Sequence, residues 1–310
     1  MSLSEQPVRN VLTRSFLRGA EVWAPTVAGD ELELRSASHD ELAGFATVSL
    51  GTRFAPGVGL PGRAWAERRP IVMSTSDPAF VRASEAAADH VACAVALPVF
   101  AGDVADAPLR GVVVFLCGGD ELAGAIEVWS ERAGRLDLAD GYYGSLRDFE
   151  LEARATSFGC DSGLPGKVWG SGRPLLLDDL GDAERFLRPK AAVDAGMRIG
   201  VGVPVTGRDT GTVVTFLSAL DTPLARWVEV WVPDADGNLQ FDQGYSNEGV
   251  DLTERYADAR VQPGHGPLGT VLAAGVPLVT DYAGLDGSTW LIAIPVISEG
   301  SVEAVVTLVS

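Results

Sequence analysis

Two Phe-x-Arg pairs carry the side chains best suited to bind a ligand. Phe80 and Arg82 lie in the first third of the chain, and Phe186 and Arg188 repeat the pattern further on. A guanidinium can hold an anionic group through paired hydrogen bonds, and a phenylalanine ring can stack on a planar ligand. The alternative is structural, with each ring packed inward and each arginine paired with a nearby carboxylate.

Carboxylates close in sequence to these arginines are available for such pairing. Asp77 precedes Arg82, and Asp182 precedes Arg188. Asp182 also belongs to an acidic cluster with Asp178, Asp179 and Glu184. Paired carboxylates can bind a cation, but aspartate is also typical of helix starts. We therefore predict that the cluster caps the helix that follows it.

Three cysteines raise the alternative of thiol redox chemistry. Cys93, Cys117 and Cys160 are too few and too scattered for a disulfide framework or a zinc site. A reactive thiol needs nearby positive charge to lower its pKa, and these three cysteines belong to two different repeats. We expect buried or incidental cysteines that do not form one cluster, in a reducing, cytoplasmic setting.

The three histidines, His39, His90 and His265, stand alone in the sequence. His90 precedes Cys93 by three positions, but two residues do not make a metal site or a nucleophile pair. We predict surface histidines.

The segment Gly57–Gly62 fits the GxGxxG pattern of dinucleotide-binding loops. That fingerprint needs a βαβ unit and an acidic residue about 20 positions on. The corresponding segment later in the chain begins with Asp161 in place of the first glycine. We read the segment as a turn that places a short helix against a sheet.

Composition narrows the classes of partner. The 310 residues include 24 Lys and Arg against 42 Asp and Glu, for a net charge of −18. This balance disfavours binding to nucleic acid or to anionic membranes, since both depend on neutralising phosphate with Lys and Arg. Hydrophobic residues make up 46%, which is typical of globular domains, and no apolar stretch is long enough for a transmembrane helix.

The strongest signal is a threefold internal repeat of domain size. Each copy begins with Glu-Val-Trp, at Glu21–Trp23, Glu127–Trp129 and Glu229–Trp231. A Gly-rich turn, a short helical stretch, an Arg-Pro or Val-Pro step and a Pro-Val segment follow in the same order, and a β-rich segment closes the copy. Recurrence within one chain indicates shared structure and not shared chemistry.

The pattern within each copy predicts an antiparallel sheet with short helices. Residues around Glu-Val-Trp alternate apolar and polar, as expected of a strand, and a second strand completes a hairpin. We expect the tryptophans to pack in the core, although Trp231 shares a face with Glu229 and that parity favours a more exposed side. Copies one and two contain an Ala-rich helical span (78–91 and 183–195) that copy three lacks. A pocket beneath that helix is therefore expected to be open or absent in copy three.

The order of motifs resembles the GAF domain, a small sensory and dimerisation fold related to PAS. Copy two is the most similar, from Ser162 through Arg173-Pro174 and Arg185–Arg188 to Val203–Val205. The long flanking helices usual in the family have no room here, apart from a helix predicted at 8–17. We expect a neighbouring repeat or a second chain to cover the back of each sheet. No output segment of the kinase, cyclase, phosphodiesterase or DNA-binding kind is evident.

The resemblance implies an α+β fold of three tandem GAF-like domains, at 1–119, 120–220 and 221–310, each with five or six antiparallel strands. It also places the ligand pocket beneath the Ala-rich helix of copies one and two. The candidate ligand-binding residues are Trp65, Asp77, Phe80, Arg82, Trp169, Asp179, Phe186 and Arg188.

The function expected from this resemblance is non-enzymatic. A cytoplasmic sensory or regulatory protein would bind an unidentified small molecule or a signalling protein partner, with no nucleic acid or membrane partner, and a homodimer is one expected arrangement. The cofactor is unknown, and no catalytic or metal residue is assigned. The alternatives are a thiol-dependent redox enzyme on the same fold and a ligand-free dimerisation scaffold.

Overall fold

Three six-stranded antiparallel sheets, one per repeat, form the protein. The computed structural model describes residues 15–39, 42–119, 122–205, 211–284 and 287–310. From edge to edge, each sheet contains the third, second, first, sixth, fifth and fourth strand of its repeat. The predicted α+β class, with antiparallel sheets of five or six strands and short helices, is confirmed. The predicted helix at 8–17 lies mostly outside the described residues, and Leu17 begins a strand.

The elements recur in the same order in the three repeats. Repeat 1 contains β1 (Leu17–Pro25), β2 (Leu32–Ser38), α1 (Ala43–Ser49), β3 (Arg53–Phe54), α2 (Gly59–Glu67), β4 (Ile71–Ser74), α3 (Ala83–Ala88), β5 (Val91–Phe100) and β6 (Leu109–Gly118). Repeat 2 contains β7 (Gly124–Arg132), β8 (Arg135–Tyr142), α4 (Arg147–Ala155), β9 (Ser157–Phe158), α5 (Gly163–Ser171), β10 (Leu175–Leu177), α6 (Pro189–Asp194), β11 (Met197–Val205) and β12 (Thr212–Ala219). Repeat 3 contains β13 (Trp227–Pro233), β14 (Leu239–Ser246), α7 (Leu252–Arg255), β15 (Arg260–Val261), α8 (Gly266–Ala274), β16 (Leu278–Gly284), β17 (Gly287–Ser298) and β18 (Ser301–Val309).

The Gly-rich segment forms the same turn before α2, α5 and α8. Its first position is left-handed, with φ +82° at Gly57 and +63° at Asp161, a conformation that Asp adopts more readily than most residues. Its last glycine is required, because an added Cβ would lie 2.2 Å from a backbone carbonyl oxygen at Gly62, 2.1 Å at Gly166 and 2.2 Å at Gly269. The interpretation of GxGxxG as a structural turn therefore agrees with the backbone.

Local patterns predicted most elements and missed others. The Ala-rich spans form only the short helices α3 and α6, and the described part of repeat 3 has no equivalent helix, as predicted. The helices α1, α4 and α7 were not predicted, because their sequences are short and lack a sustained apolar period. The described residues contain no helix long and apolar enough to cross a membrane.

The other repeats cover one face of each sheet. One face of every sheet contributes to a single core of 33 buried residues, which includes Val22, Val128 and Val230 of the three first strands. In this core Phe115 of repeat 1 contacts Phe216 of repeat 2 edge to face, with ring centroids 5.0 Å apart. The expectation that neighbouring repeats cover the back of each sheet thus agrees with the structure.

The opposite face carries Glu-x-Trp, and its tryptophans pack in the core as predicted, whereas the more exposed side that parity favoured for Trp231 is wrong. Trp23 and Trp129 are 0% exposed, and Trp231 is 3% exposed. The glutamates two residues before them are 0–3% exposed. Glu229 and Trp231 do share a face, as predicted, but short helices cover that face. An alternating apolar–polar pattern predicts which side chains share a face of the sheet. It does not predict which face is exposed to solvent.

The repeats close into a ring through three equivalent hydrogen bonds. The fourth strand of each repeat packs on the second strand of the next, and its backbone N–H donates to a side chain there. The three bonds are Val72 N to Asp140 Oδ2 (3.3 Å), Leu176 N to Gln243 Oε1 (2.9 Å) and Val279 N to Ser36 Oγ (3.1 Å). Repeat 3 thus contacts repeat 1, and the repeats do not form an open string.

Repeat 3 leaves its helix-bearing face half open. In repeats 1 and 2 this core contains 17 buried hydrophobic residues each, with three and five partly buried ones beside them. Among the described side chains of repeat 3, nine are buried and nine are only partly buried. The partly buried ones are Phe241, Tyr256, Ala259, Val261, Leu268, Leu272, Leu278, Tyr282 and Val302. This face of repeat 3 is more exposed because its described residues form no helix equivalent to α3 and α6.

Candidate functional site

A buried glutamate on the first strand organises the outer core of each repeat. In repeat 1, Arg82 donates from both terminal nitrogens to Glu21, at 2.5 Å to Oε1 and 2.8 Å to Oε2. The Trp23 indole donates to Oε2 at 2.9 Å, and Ser49 donates to Oε1 at 2.6 Å. The carboxylate is 0% exposed and the arginine 3% exposed, so water does not compete for this pair.

Repeat 2 builds the same arrangement with different supporting groups. Arg188 donates to both oxygens of Glu127, at 2.7 and 2.8 Å, and Trp129 donates to Oε2 at 3.1 Å. Thr215 and Tyr143 supply the remaining donors, at 3.0 and 3.2 Å. The glutamate and the arginine are 61 residues apart in both repeats. The buried ion pair therefore belongs to the structure that the two repeats share.

Aromatic rings surround each buried guanidinium. The Cζ atom of Arg82 lies 4.8 Å from the ring centroid of Phe45, 5.5 Å from that of Trp23 and 5.8 Å from that of Phe54. Arg188 lies similarly among Trp129, Phe149 and Phe186, at 4.6–5.5 Å. Each cation is thus held by a bidentate carboxylate and by the faces of aromatic rings.

The pKa of Glu21 reflects this environment. Burial alone would raise it, but the charge of Arg82 and the hydrogen bonds from His39, Arg82 and Ser49 lower it from 4.5 to about 2. Glu21 is therefore ionised at neutral pH.

We predict an acid-dependent loss of stability from this group. A carboxyl whose pKa is lower in the folded state stabilises the fold above its unfolded pKa, and that contribution disappears as pH falls through the folded pKa. From 4.5 to about 2, Glu21 contributes on the order of 3 kcal/mol that is lost between about pH 5 and pH 2. Urea denaturation across this range measures it. The Glu21→Gln/Arg82→Met double variant is the control, and a wild-type pH slope no steeper than that of the control would contradict the prediction.

The candidate ligand-binding residues fall into two groups in the structure. Phe80 and Phe186 are buried, at 4% and 1% exposed, and Arg82 and Arg188 are each committed to a buried glutamate. The acid that pairs with each arginine is neither Asp77 nor Asp182, so the structural alternative was right about pairing and wrong about the partner. Whether repeats 1 and 2 bind a ligand stays a prediction.

The other candidates lie at the edges of these cores. Trp65 and Trp169 are partly buried against the outer cores of repeats 1 and 2. Asp77 is exposed and accepts a hydrogen bond from the backbone N–H of Ala79. Asp179 accepts one from the Gly181 N–H. These carboxylates stabilise local turns and do not converge with the arginines.

The acidic cluster of repeat 2 does not cap the following helix. Helix α6 begins at Pro189, with Arg188 as its N-cap residue and no side-chain cap. Asp182 accepts from the Glu184 N–H, and Asp178 pairs with Arg185 at 2.9 Å. The carboxylates stabilise the turn before the helix, so the predicted cap is wrong. No group of three metal-ligating side chains occurs in the described residues.

One histidine was assigned to the wrong environment. His90 and His265 are exposed, as predicted. His39 Nε2 instead lies 2.9 Å from Glu21 Oε1, and its side chain is only 11% exposed. The prediction for His39 failed because its partner is 18 residues earlier in the sequence.

The cysteines are free, and two of them are neighbours. Cys93 and Cys117 are directly opposite each other on β5 and β6, both fully buried, and Cys160 is exposed. Burial raises the pKa of the Cys93 thiol and of the Cys117 thiol. The prediction of buried cysteines holds for this pair, although the sequence did not reveal that the two are adjacent.

Repeat 3 has the glutamate without an arginine. Glu229 is 3% exposed, and its Oε2 accepts hydrogen bonds from Trp231 Nε1 and Thr307 Oγ1, both at 2.9 Å. Among the described residues, its Oε1 has no hydrogen-bond partner of standard geometry and no ion-pair partner, although the Tyr256 hydroxyl lies close enough to the Glu229 carboxylate to interact with it. Buried carboxylates without a counter-ion are costly, so this atom distinguishes repeat 3 chemically from the other two.

Three aromatic rings stand beside this carboxylate. The ring centroids of Trp231, Phe241 and Tyr256 are 5.0–5.7 Å apart from one another. Burial, the negative charge of Glu229 and a hydrogen bond with that carboxylate raise the pKa of Tyr256, and a hydrogen bond with Arg255 lowers it. Sequence analysis missed Glu229 as a site residue. The signal that could have found it is the loss of the Phe-x-Arg motif in repeat 3, which keeps Glu-Val-Trp as the other two repeats do.

Comparison with known proteins gives similarity to solved structures only. No protein-family model matches the sequence, and no curated protein matches it. A GAF domain from A. aeolicus in an inactive state is similar over 33% of this chain, with 15% identity and a TM-score of 0.26. A GAF domain/HD domain protein from Geobacter sulfurreducens is similar over 30%, with 17% identity and a TM-score of 0.25. This chain covers 58% and 60% of those two chains. Neither a family nor an activity is carried over from these neighbours.

Proposed function

We propose that this chain is a non-enzymatic regulatory protein that binds a small molecule on the half-open outer face of repeat 3. The observation that carries the proposal is Glu229 Oε1, a buried carboxylate oxygen without a hydrogen-bond partner or counter-ion among the described residues. The equivalent carboxylates of repeats 1 and 2 are fully satisfied. A buried polar atom that the chain leaves unpaired is a natural contact for a ligand.

This proposal moves the site from where the family resemblance implies it. In repeats 1 and 2 the helices α3 and α6 cover the sheet, and their arginines are engaged with Glu21 and Glu127. Repeat 3, where the sequence predicts an open or absent pocket, has both the uncovered face and the unpaired group.

The ring arrangement suggests how binding would act on the whole chain. Repeat 3 packs on repeat 2 through Gln243 and on repeat 1 through Val279. A ligand that orders the outer face of repeat 3 would shift the population between arrangements of these coupled repeats. A signalling protein that reads this shift, and a cytoplasmic setting, stay predictions.

The alternatives have less support. A thiol enzyme needs an accessible thiolate, and burial raises the pKa of both Cys93 and Cys117. A ligand-free dimerisation scaffold gives no role to the unpaired oxygen of Glu229.

Native mass spectrometry of gently purified protein tests the proposal. We expect one small added mass per chain that disappears on denaturation. Val261→Phe should abolish it, because Phe54 and Phe158 occupy the equivalent register in repeats 1 and 2 and fill the same face. Val104→Phe, at an exposed loop position in repeat 1, is the matched control and should retain the added mass. A bare chain mass, both as purified and after incubation with a small-molecule extract of cells, would contradict the proposal.

A further inference from the structure

The chain itself indicates what kind of group belongs beside Glu229. In repeats 1 and 2 the equivalent glutamate accepts the indole N–H of the tryptophan two residues on, and a guanidinium occupies both carboxylate oxygens. In repeat 3 the same indole contact is present at 2.9 Å, and the place of the guanidinium is left without a described cation.

The surroundings of Glu229 match those of the paired glutamates in three further respects. Thr307 donates to Oε2 at 2.9 Å, as Thr215 does at 3.0 Å in repeat 2. Trp231, which donates to Glu229, packs against the rings of Phe241 and Tyr256, as three rings lie within 5.8 Å of the Arg82 guanidinium in repeat 1. The carboxylate is as deeply buried as its counterparts.

We propose that repeat 3 binds a small molecule through a guanidinium group, which pairs with Glu229 and lies among Trp231, Phe241 and Tyr256. This assignment rests on the proposed function and names its ligand class. A guanidinium donates two parallel hydrogen bonds to a carboxylate, and aromatic faces attract it, so both features of the site favour it over a neutral head group.

Arg255 is the described cation that could compete for this position. Its Cζ lies 4.9 Å from the Trp227 ring and 5.6 Å from the Tyr256 ring, on an exposed side chain that forms no ion pair with Glu229. Helix α7, which ends at Arg255, contains only four residues. We expect the ligand to enter between the rings of Tyr256 and Phe241, which are both half-buried. The two rings would move apart around the planar cation.

The test is a calorimetric titration with agmatine, which bears a guanidinium, and with 4-aminobutylurea, which has the same amine and a neutral head of the same shape. We expect one agmatine per chain, and binding of the urea weaker by about ten-fold or more. The indole N–H signal of Trp231, which donates to Glu229, should shift in the nitrogen-15 NMR spectrum of Trp-labelled protein during the agmatine titration.

Three variants locate the binding site. Glu229→Gln should weaken agmatine binding by about ten-fold or more. Glu248→Gln is the matched control, since Glu248 also accepts from a tryptophan indole in repeat 3 but is exposed and already paired with Arg226. Its affinity for agmatine should equal that of the wild type. Arg255→Gln should bind at least as tightly as the wild type, because it removes the competing cation.

Equal binding of agmatine to wild type and Glu229→Gln would overturn the assignment, because it would mean that the cation binds elsewhere on an acidic surface of net charge −18. Absence of agmatine binding in a protein that carries an added mass would overturn the guanidinium assignment and leave the ligand site in place. Absence of both would overturn the proposed function as well.

Discussion

Arg82→Met is expected to lower the free energy of unfolding by about 3–5 kcal/mol. The substitution leaves Glu21, which is 0% exposed, without its arginine counter-ion and with His39 as its remaining basic neighbour, and methionine fills most of the volume of the arginine stem. The cost therefore comes from the unpaired charge and not from a cavity. Urea denaturation near neutral pH measures it.

Two controls separate the buried pair from charge in general. Arg53→Met breaks an ion pair with Glu33 whose side chains are 50% and 40% exposed, and it should cost less than about 1 kcal/mol. The Glu21→Gln/Arg82→Met double variant removes both charges and should recover part of the loss. Equal losses for Arg82→Met and Arg53→Met would contradict a buried, organising role for the first pair.

Phe216→Ala is expected to cost about 3–5 kcal/mol and to weaken all three repeats together. Phe216 is 2% exposed in the core that the three sheets share, and it contacts Phe115 of repeat 1. Because the inner face of each sheet has no other cover, loosening this core should destabilise β5, β11 and β17 alike.

Hydrogen exchange read by mass spectrometry distinguishes shared from separate cores. We expect amide protection to fall by a similar factor in the three sheets of the Phe216→Ala variant, with one unfolding transition. Leu220→Ala is the control, at a residue that is 46% exposed beside the same strand, and it should leave protection almost unchanged. Loss of protection confined to repeat 2 would show that the repeats fold as separate units.

The sequence predicted what depends on neighbouring residues. The Gly-rich turn was predicted because its glycine requirement is local, at Gly62 and its counterparts. The missing helix of repeat 3 was visible as a shorter spacing between prolines, 18 residues from Pro277 to Pro295 against 28 from Pro70 to Pro98. Strand parity placed Glu229 and Trp231 on one face correctly.

What depends on tertiary packing was not predictable in the same way. The partner of Arg82 is Glu21, 61 residues earlier, whereas sequence proximity suggested Asp77. The exposed side assigned to Trp231 was wrong because the rings of Phe241 and Tyr256 pack against its indole. The lack of a partner for Glu229 Oε1 is evident only from the contacts of the three corresponding glutamates in the folded chain.

The most direct test of the account is one substitution made in two repeats, Glu127→Gln and Glu229→Gln, with the free energy of unfolding measured by urea denaturation without added ligand. Glu127→Gln leaves Arg188 buried without its counter-ion and should cost about 3–5 kcal/mol. Glu229→Gln removes a buried charge that has no described counter-ion, so the stability should stay unchanged or rise. A loss of about the same size in both variants would show that Glu229 is already compensated within the chain, and would contradict the view that its cation comes from outside.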